Sequence, residues 1–287
     1  DVVLHSAETA PVVQAAAAEV TLDPALLSVD ADAEAGYGAL LEAGDAAAFQ
    51  PAVVDADATS VVLHTSGTTG EPKGVPRSHQ NTFAAAMAHI FGNSWSVGES
   101  TLGLMPLSHT MGLHAQVATI LLGGTWVIQR EFDAAEAVDL VETEGITSLY
   151  FIPTGFHDLL KSEAVESADL SSVRHVSFAG ASMTPSLLRQ IEEHLDPDTI
   201  VNYYGSTEQY THAVCDYVTE KPNCVGRAGI NTAIRVVEPS DFGHLDPEET
   251  VPQGDLGEII VDITSPEGFD GYLSDPDDRS IVGNWFF

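Results

Sequence analysis

The residues best suited to chemistry form one polar, glycine-rich loop, Thr65-Ser66-Gly67-Thr68-Thr69-Gly70-Glu71-Pro72-Lys73. Four hydroxyl side chains and two glycines fall within its first six positions, and the lysine follows three positions after Gly70. Backbone N–H groups and short hydroxyls can surround phosphate oxygens in such a loop, because glycine lets the backbone approach closely. The Lys73 ammonium group would add a mobile charge for the outer phosphates. We therefore predict that residues 65–70 and Lys73 bind a polyphosphate.

Two other interpretations of this loop are open. A Walker A loop needs a glycine directly before the lysine and a serine or threonine directly after it, but Pro72 and Gly74 occupy these positions. A polar surface turn is the usual meaning of a Ser/Thr/Gly cluster. The composition speaks against a plain turn, because the chain has only 10 Lys and Arg residues and Lys73 is one of three lysines. Because lysine is so rare in this chain, its presence at the end of this loop indicates that Lys73 has a functional role.

A second group of suitable residues follows a predicted strand over Thr199–Tyr203 and has the sequence Tyr204-Gly205-Ser206-Thr207-Glu208. An aromatic face can stack on a nucleotide base, and a glycine permits a sharp turn. The Thr207 hydroxyl can donate to a phosphate as charge develops on it. Glu208 offers hard oxygen ligands, which suit a Mg²⁺ ion that is bound mainly by phosphate oxygens. Taken alone, the pentapeptide also fits a tight turn with a solvated glutamate.

Both motifs resemble signatures of the adenylate-forming superfamily, which includes acyl-CoA synthetases, adenylation domains of nonribosomal peptide synthetases and beetle luciferases. The run at 65–74 resembles its phosphate loop, and 204–208 matches its Tyr-Gly-x-Thr-Glu motif. These enzymes attack the α-phosphorus of ATP with a carboxylate, release pyrophosphate and hold an acyl-AMP. The resemblance implies the same reaction here, with ATP between the two motifs and Mg²⁺ on Glu208. The catalytic residues that it implies are Lys73, His109, Thr207 and Glu208.

Two segments between the motifs also fit the resemblance. His109 lies just past the carboxyl end of a predicted strand, where open α/β sheets bind ligands, and it matches a Pro-x-x-His motif whose histidine lines the acyl pocket. A structural role is the alternative, and His114 lacks the spacing of a zinc motif. The resemblance places the nucleotide on Tyr203 to Thr207 and on a loop after another strand, Ala179-Gly180-Ala181-Ser182. The family usually has a glycine at the first position of that loop.

The elements that must position these residues follow from the hydrophobic pattern. Through most of the chain, short apolar strands alternate with helices, which predicts an α/β fold with mostly parallel sheets and flanking helices. From Thr211 onward, short strands alternate with turns and predict a small antiparallel, β-barrel-like subdomain. We divide the chain into residues 1–98, part of a first α/β subdomain with the phosphate loop, residues 99–215, a second α/β subdomain with the adenine and magnesium motif, and residues 216–287, the β-rich subdomain.

The resemblance covers nearly all of the chain, which corresponds to the central and later part of the family's large domain. Two features of the family have no counterpart here: the Thr-Gly-Asp motif that binds ribose, and the mobile C-terminal domain with its catalytic lysine. We therefore expect a truncated domain that is inactive or impaired alone. We expect coenzyme A to be the final acceptor, as in a standalone acyl-CoA synthetase. A peptide-synthetase adenylation domain and a non-catalytic nucleotide-binding module are the alternatives.

The charge balance limits the partners. The chain has 43 Asp and Glu residues against 10 Lys and Arg, a net charge of −33. Nucleic acids and anionic membranes need a basic face and are excluded as partners. Molar salt, with a Debye length of ~3 Å, would screen the self-repulsion, so we predict a halophilic protein; an ordinary acidic protein is the alternative.

The cysteines and the apolar runs exclude further classes. Cys215 and Cys224 are too few for a disulfide scaffold and too far apart for a Cys-x-x-Cys site, so we expect small, partly buried thiols. No apolar run reaches the ~20 residues that span a bilayer. The given sequence does not start with a basic segment followed by an apolar one, which is the pattern of a signal peptide. We therefore expect a cytoplasmic protein whose partners are small molecules. The oligomeric state does not follow from the sequence.

Overall fold

The computed structural model describes residues 2–30, 36–44, 48–65, 72–239, 246–273 and 280–287. Backbone contacts divide the chain into two compact units, residues 1–54 and 55–287. The subdivision at positions 98/99 and 215/216 stays a prediction.

The first unit contains two parallel strands and two helices. Strand β1 (Val2–His5) pairs in parallel with β2 (Ala25–Ser28), and helix α1 (Ala10–Glu19) connects them. Helix α2 (Tyr37–Ala43) follows. Parallel strands need a crossover of this kind, and the βαβα order predicted from the hydrophobic pattern is confirmed.

The second unit begins with an antiparallel hairpin of β3 (Thr59–Thr65) and β4 (Lys73–Ser78). Helix α3 (His79–Gly92) starts directly after it. Ser78 caps this helix: its Oγ accepts from the Asn81 N–H and its own N–H donates to Asn81 Oδ1, each over 3.0 Å. Such a capping box satisfies two N–H groups that the helix itself cannot pair, and it fixes where the hairpin ends.

Seven strands form the central sheet of this unit: β5 (Ser100–Gly103), β6 (Thr125–Ile128), β7 (Ser148–Phe151), β8 (His175–Ala179), β9 (Thr199–Tyr204), β10 (Ala213–Cys215) and β11 (Arg227–Ala228). Their spatial order is β11-β10-β9-β8-β7-β5-β6. Strands β5 to β9 run parallel, whereas β10 and β11 are antiparallel at one edge. The mostly parallel sheet is thus confirmed, and its carboxyl ends lie along one side.

Helices cover both faces of this sheet: α4 (Thr110–Leu121), α5 (Ala134–Glu144), α6 (Pro153–Lys161) and α7 (Pro185–Leu195). A short 3-10 helix at Glu163–Glu166 follows α6. Successive strand side chains point to opposite faces, which divides the core into two clusters. Val176 and Phe178 of β8 pack in one cluster with α5, α6 and α7, and Ala179 packs in the other with α3 and α4.

The remaining strands form a small antiparallel sheet: β12 (Ile234–Val237), β13 (Glu258–Asp262), β14 (Ile281–Val282) and β15 (Trp285–Phe286). Their order is β12-β13-β15-β14. The antiparallel character is as predicted, but in the part of the chain that the structure describes this sheet does not close into a barrel. Cys215 is buried and Cys224 half-buried, both as free thiols. Among the described residues, no helix has both the length and the apolar character that a membrane crossing requires.

Candidate active site

The predicted phosphate loop starts and ends on the β3–β4 hairpin. Thr65, the last residue of β3, is the register partner of Lys73, the first residue of β4. Residues Ser66, Gly67, Thr68, Thr69 and Gly70 lie outside the described residues. The hairpin therefore holds both ends of the loop at the spacing of paired strands, and Lys73 lies directly at its base.

One tyrosine brings Lys73 and Glu208 together. Lys73 Nζ lies 4.6 Å from the centroid of the Tyr272 ring, and the Tyr272 hydroxyl donates to Glu208 Oε1 over 2.6 Å. The side chains of Tyr272 and Glu208 are both buried. Lys73 and Glu208, the residues predicted at the two ends of the ATP site, thus lie close to the same side chain in the second unit.

The chain segment that carries this tyrosine, residues 266–273, also joins the two motifs through its backbone. The Leu273 N–H donates to the Gly74 carbonyl over 2.9 Å, and the Phe269 N–H donates to the Glu208 carbonyl over 3.0 Å. Gly268 forms an isolated antiparallel bridge with Gln209. The segment therefore fixes the hairpin relative to the turn at 204–208.

Arg77, which the sequence analysis missed, makes a second connection between these parts. Its side chain is 0% exposed, and Nη1 donates to the backbone carbonyls of Thr207 (3.1 Å) and Glu208 (2.9 Å). Burial lowers the Arg77 pKa to about 10, against the attraction of the Glu267 and Glu208 carboxylates. The sequence offers a reason to select Arg77, because it is one of very few basic residues and lies within a short strand.

A buried carboxyl group accompanies this guanidinium. Glu267 is 0% exposed, and its Oε2 accepts from the Thr211 N–H over 3.1 Å. Burial raises the Glu267 pKa to about 7, although the hydrogen bonds from Thr211 and the charge of Arg77 act to lower it. The region beneath the 204–208 turn therefore contains a permanent positive charge and a carboxyl group that titrates near neutrality.

The 204–208 turn is compact because of Gly205. A Cβ at this position would lie 1.7 Å from the Tyr210 carbonyl oxygen, so that only glycine fits. The Ser206 N–H donates to the Gln209 carbonyl, and the Ser206 Oγ accepts from the Gln209 N–H. Tyr204, at the end of β9, is 37% exposed and presents an aromatic surface beside the turn.

A cavity of about 160 Å³, called the site cavity below, lies at the carboxyl ends of β8 and β9. It brings together seven of the 18 predicted residues: its lining includes His109, Ala179, Gly180, Tyr203, Gly205, Ser206 and Thr207, whereas Lys73, Tyr204 and Glu208 do not line it. Gly180 has a φ of +80°, which favours glycine. Ala181 and Ser182, although predicted with them, are exposed and do not line this cavity.

A hydrogen bond to the start of α4 fixes the orientation of the His109 ring. Its Nδ1 accepts from the Met111 N–H over 3.2 Å, which makes His109 the N-cap of that helix. Burial lowers the His109 pKa, so that the ring is neutral at neutral pH. Because Nδ1 accepts, we infer that the proton lies on Nε2, where it can be donated to a ligand.

The inner wall of the site cavity consists of aromatic residues that the sequence analysis did not select, notably Tyr150 and Tyr210. The Tyr210 hydroxyl lies 2.8 Å from His89 Nδ1 and 3.1 Å from the Tyr150 hydroxyl. Burial lowers the His89 pKa to about 3 and raises the pKa of both tyrosines. The wall is thus polar but uncharged at neutral pH.

The donor set near Glu208 fits a magnesium ion that phosphates help to hold. Glu208 Oε1 accepts from Tyr272, and among the described residues the other carboxylate oxygen has no hydrogen-bond partner. No group of three or more His, Cys, Asp or Glu side chains in those residues could form a protein cage for a metal. Mg²⁺ usually binds through one or two carboxylates together with substrate phosphates and waters, which agrees with a single available glutamate.

Comparison with protein families supplies the decisive observation: residues 1–273 match one family model, described as AMP-binding enzyme. The chain belongs to this family. It is 32% identical over 230 residues to 4-chlorobenzoate–CoA ligase from an Arthrobacter species, covering 78% of this chain and 43% of the relative. It is also 32% identical over 275 residues to indoleacetate–CoA ligase from Aromatoleum aromaticum, covering 92% and 51%. The chain thus spans about half the length of these AMP-binding relatives.

Solved structures show the same fold in other proteins. The luciferase-like enzyme of the nonluminescent mealworm Zophobas morio matches 99% of this chain and 67% of its own, with a TM-score of 0.86 at 21% identity. ATP-bound MatB from Rhodopseudomonas palustris matches 99% of this chain and 55% of its own, with a TM-score of 0.83 at 24% identity. The predicted α/β fold is therefore confirmed, and the family match above confirms the resemblance to the adenylate-forming superfamily.

Proposed function

We propose that this protein is an AMP-forming acid–thiol ligase, which uses ATP to convert a carboxylic acid to an acyl-adenylate and then to a coenzyme A thioester. The observation that carries the proposal is the site cavity, where His109, Gly180, Tyr203 and residues 205–207 meet. Family membership and the names of the relatives support it, since the relatives named above are CoA ligases.

The carboxylate end of the reaction fits the start of α4. His109 and the first two residues of that helix, Thr110 and Met111, line the site cavity. A helix N-terminus favours an anion by about 0.3–1 kcal/mol at exposed sites, and the Nε2–H of His109 can donate to a carboxylate oxygen. These groups would orient the acid so that its oxygen faces the α-phosphorus.

The phosphate end fits Lys73, Thr207 and the loop at 65–70. Acid and ATP are both anions, so charge repulsion is a large part of the barrier. Lys73 would stabilise the β and γ phosphates, and the Thr207 hydroxyl would donate to the α-phosphate. Glu208 would hold Mg²⁺, which when bound neutralises phosphate charge. As the new oxygen–phosphorus bond forms, the bond to the bridging oxygen breaks and pyrophosphate leaves.

The adenosine end fits the exposed aromatic surface of Tyr204 and the backbone at Ala179 and Gly180. Stacking of a base on an aromatic ring is worth ~1–3 kcal/mol. Ala181 and Ser182 follow directly and would flank the base from outside the cavity. The thiol of coenzyme A would then attack the acyl carbon, release AMP and lose its proton.

The cellular setting belongs to the same proposal. A cytoplasmic location is where ATP and coenzyme A are available as substrates. The net charge of −33 supports adaptation to high salt. The partners proposed are a small carboxylic acid, ATP and coenzyme A, and not nucleic acid.

Exchange of labelled pyrophosphate into ATP tests the proposal with the complete gene product. Exchange that requires both a carboxylic acid and Mg²⁺, followed by a thioester when coenzyme A is added, supports it. ATP binding without exchange would support the non-catalytic nucleotide-binding module instead. Transfer of the γ-phosphate without AMP would indicate a phosphotransferase. Thioester formation on a carrier protein but not on coenzyme A would favour an adenylation domain of the peptide-synthetase type.

A further inference from the structure

Strand β4 carries three side chains on one face, because successive side chains of a strand point to opposite faces. They belong to Lys73, Val75 and Arg77. Lys73 lies over the Tyr272 ring, and Val75 is buried in a core cluster that includes Tyr272 and Phe269. Lys73 and Arg77 are four positions apart, which is about 13 Å along a strand. One short strand therefore carries both the end of the phosphate loop and Arg77.

The hydrogen bonds of Arg77 go to the 204–208 turn alone. Nη1 donates to the carbonyls of Thr207 and Glu208, whereas Nε and Nη2 are buried without a hydrogen-bond partner among the described residues. The Glu208 carbonyl also accepts from the Phe269 N–H. For the Thr207 carbonyl, Arg77 is the one donor that the described residues provide. Arg77 is therefore a tie between β4 and this turn.

The bond to the Thr207 carbonyl controls where the Thr207 side chain lies. That side chain lines the site cavity, while the carbonyl of the same residue faces Arg77. If the peptide group after Thr207 rotates, the hydroxyl is displaced with it. A misplacement of about 1 Å can lower the rate of a positioned reaction by about 10²-fold.

A buried carboxyl group holds the other end of the same chain segment. Glu267 Oε2 accepts from the Thr211 N–H over 3.1 Å, and both Glu267 and Arg77 are 0% exposed. The opposite charges of Glu267 and Arg77 attract each other. Residues 207–211 are thus held by a guanidinium at one end and by a carboxyl group at the other.

We propose that Arg77 is a positioning residue for acyl-adenylate formation. It holds the backbone of Thr207 and Glu208 so that the Thr207 hydroxyl meets the α-phosphate and Glu208 meets Mg²⁺, at a fixed distance from Lys73 on the same strand. This inference rests on the proposed function. Loss of Arg77 therefore lowers the rate of the chemical step and leaves the affinity for the acid unchanged.

The experiment measures pyrophosphate exchange by the complete gene product, per mole of folded protein in 2 M KCl. The acid is the one that wild type uses best among the straight-chain acids from acetate to decanoate and benzoate. Three values are compared: kcat, the KM for the acid, and the Mg²⁺ concentration that gives half of the maximal rate.

Two substitutions grade the loss. Arg77→Lys keeps a positive charge and a donor, whereas Arg77→Met keeps neither. We expect kcat to fall about tenfold in Arg77→Lys and about 10²-fold in Arg77→Met. The half-maximal Mg²⁺ concentration should rise in the same order, and the KM for the acid should stay within about threefold of wild type, as for a group that acts only in the transition state.

Arg235 provides the matched control. It donates from β12 to the Pro247 carbonyl over 2.8 Å, so it also ties a strand to a backbone carbonyl, but outside the predicted site. Arg235→Lys and Arg235→Met should keep the kcat and the Mg²⁺ dependence of wild type.

A double-mutant cycle tests whether Arg77 acts through Thr207. Removing one transition-state donor lowers kcat by about 10²–10³-fold, and this is the loss expected for Thr207→Ala in wild type. In Arg77→Lys the hydroxyl is already displaced, so the same substitution should cost about tenfold less. His109→Ala acts on the acid and should cost the same in both backgrounds.

The outcomes separate this inference from the proposed function. No acid-dependent exchange by wild type with any of these acids would overturn the proposed function. Exchange by wild type, together with wild-type kcat in the folded Arg77 variants or an equal cost of Thr207→Ala in both backgrounds, would overturn the positioning role alone. If Arg77→Met does not fold, Arg77→Lys decides. Failure of both variants to fold would make Arg77 a purely structural residue and would also overturn its positioning role.

Discussion

Lys73 and Glu208 both contact Tyr272, the lysine through the face of the ring and the glutamate through the hydroxyl. The two residues belong to motifs that are far apart in the sequence, and residues 266–273 hold both motifs through backbone hydrogen bonds. A single triphosphate with its magnesium ion could therefore contact both ends of this arrangement.

Replacing Lys73 with alanine should weaken ATP binding by about 10- to 100-fold, because a charge-assisted hydrogen bond is worth about 1.5–3 kcal/mol. Isothermal titration calorimetry with ATP and Mg²⁺ measures this change. Lys161→Ala is the matched control, since Lys161 is an exposed lysine at the end of α6. Equal affinities for the two variants would remove Lys73 from the phosphate site.

Replacing Glu208 with glutamine should raise the Mg²⁺ concentration for half-maximal activity by about tenfold or more, because a neutral amide oxygen is a poorer ligand for a hard cation. The amide oxygen can still accept from the Tyr272 hydroxyl, so the fold is kept. Titration of activity with Mg²⁺ at saturating ATP gives the value. Glu220→Gln, at an exposed site, should behave as wild type; a Glu208→Gln curve that overlays it would refute the metal assignment.

Replacing Arg77 with methionine should destabilise the protein by about 2–6 kcal/mol, because each of the two buried carbonyls left without a donor costs about 1–3 kcal/mol. The change leaves the carbonyls of Thr207 and Glu208 without their donor and Glu267 without its cation. Urea denaturation followed by circular dichroism measures the loss. Arg227→Met breaks an exposed pair with Asp216 and should have little effect. Similar losses of stability for both variants would show that the buried Arg77 contributes no more than an arginine in an exposed ion pair.

The pH dependence of stability should contain a contribution from Glu267. Its pKa is raised from 4.5 to about 7 in the folded state, so between these values the folded protein binds more protons than the unfolded chain. The contribution, about 3 kcal/mol at 1.36 kcal/mol per pKa unit, is fully present below pH 4.5, falls as pH rises from 4.5 and is lost above about pH 7. His89, with a folded pKa of about 3, acts in the opposite direction, because its contribution is lost as pH falls below 6.5.

Glu267→Gln isolates this contribution. The loss of unfolding free energy caused by the substitution should be larger at pH 5 than at pH 8. Only wild type has a buried carboxylate that is stabilised by protonation at the lower pH. Urea denaturation at several pH values gives the two curves, and Glu220→Gln provides the control curve. Parallel curves for wild type and Glu267→Gln would show that Glu267 does not titrate in this window.

Salt should stabilise the folded protein. With a net charge of −33, self-repulsion is weakened as the Debye length falls from about 10 Å at 0.1 M to about 3 Å at 1 M. Differential scanning calorimetry in 0.1 M and 2 M KCl should show a clear rise in Tm. A Tm that does not change between these concentrations would contradict salt adaptation.

The sequence predicts those features that depend on neighbouring residues. The strand before Tyr204 and the alternation of short strands with helices follow from short-range patterns, and the structure has them. The burial of Arg77 and the contacts of Tyr272 depend on chain segments far apart in sequence, so no local pattern reveals them. The same is true of the site cavity, whose lining comes from β7, β8, β9 and the start of α4.

Pyrophosphate exchange by the complete gene product, with wild type, Lys73→Ala and Glu208→Gln compared side by side, tests the central claim most directly. We expect exchange by wild type that requires both a carboxylic acid and Mg²⁺, and a large fall in rate for both variants. Exchange at the wild-type rate in both variants, or ATP binding by wild type without any acid-dependent exchange, would contradict it.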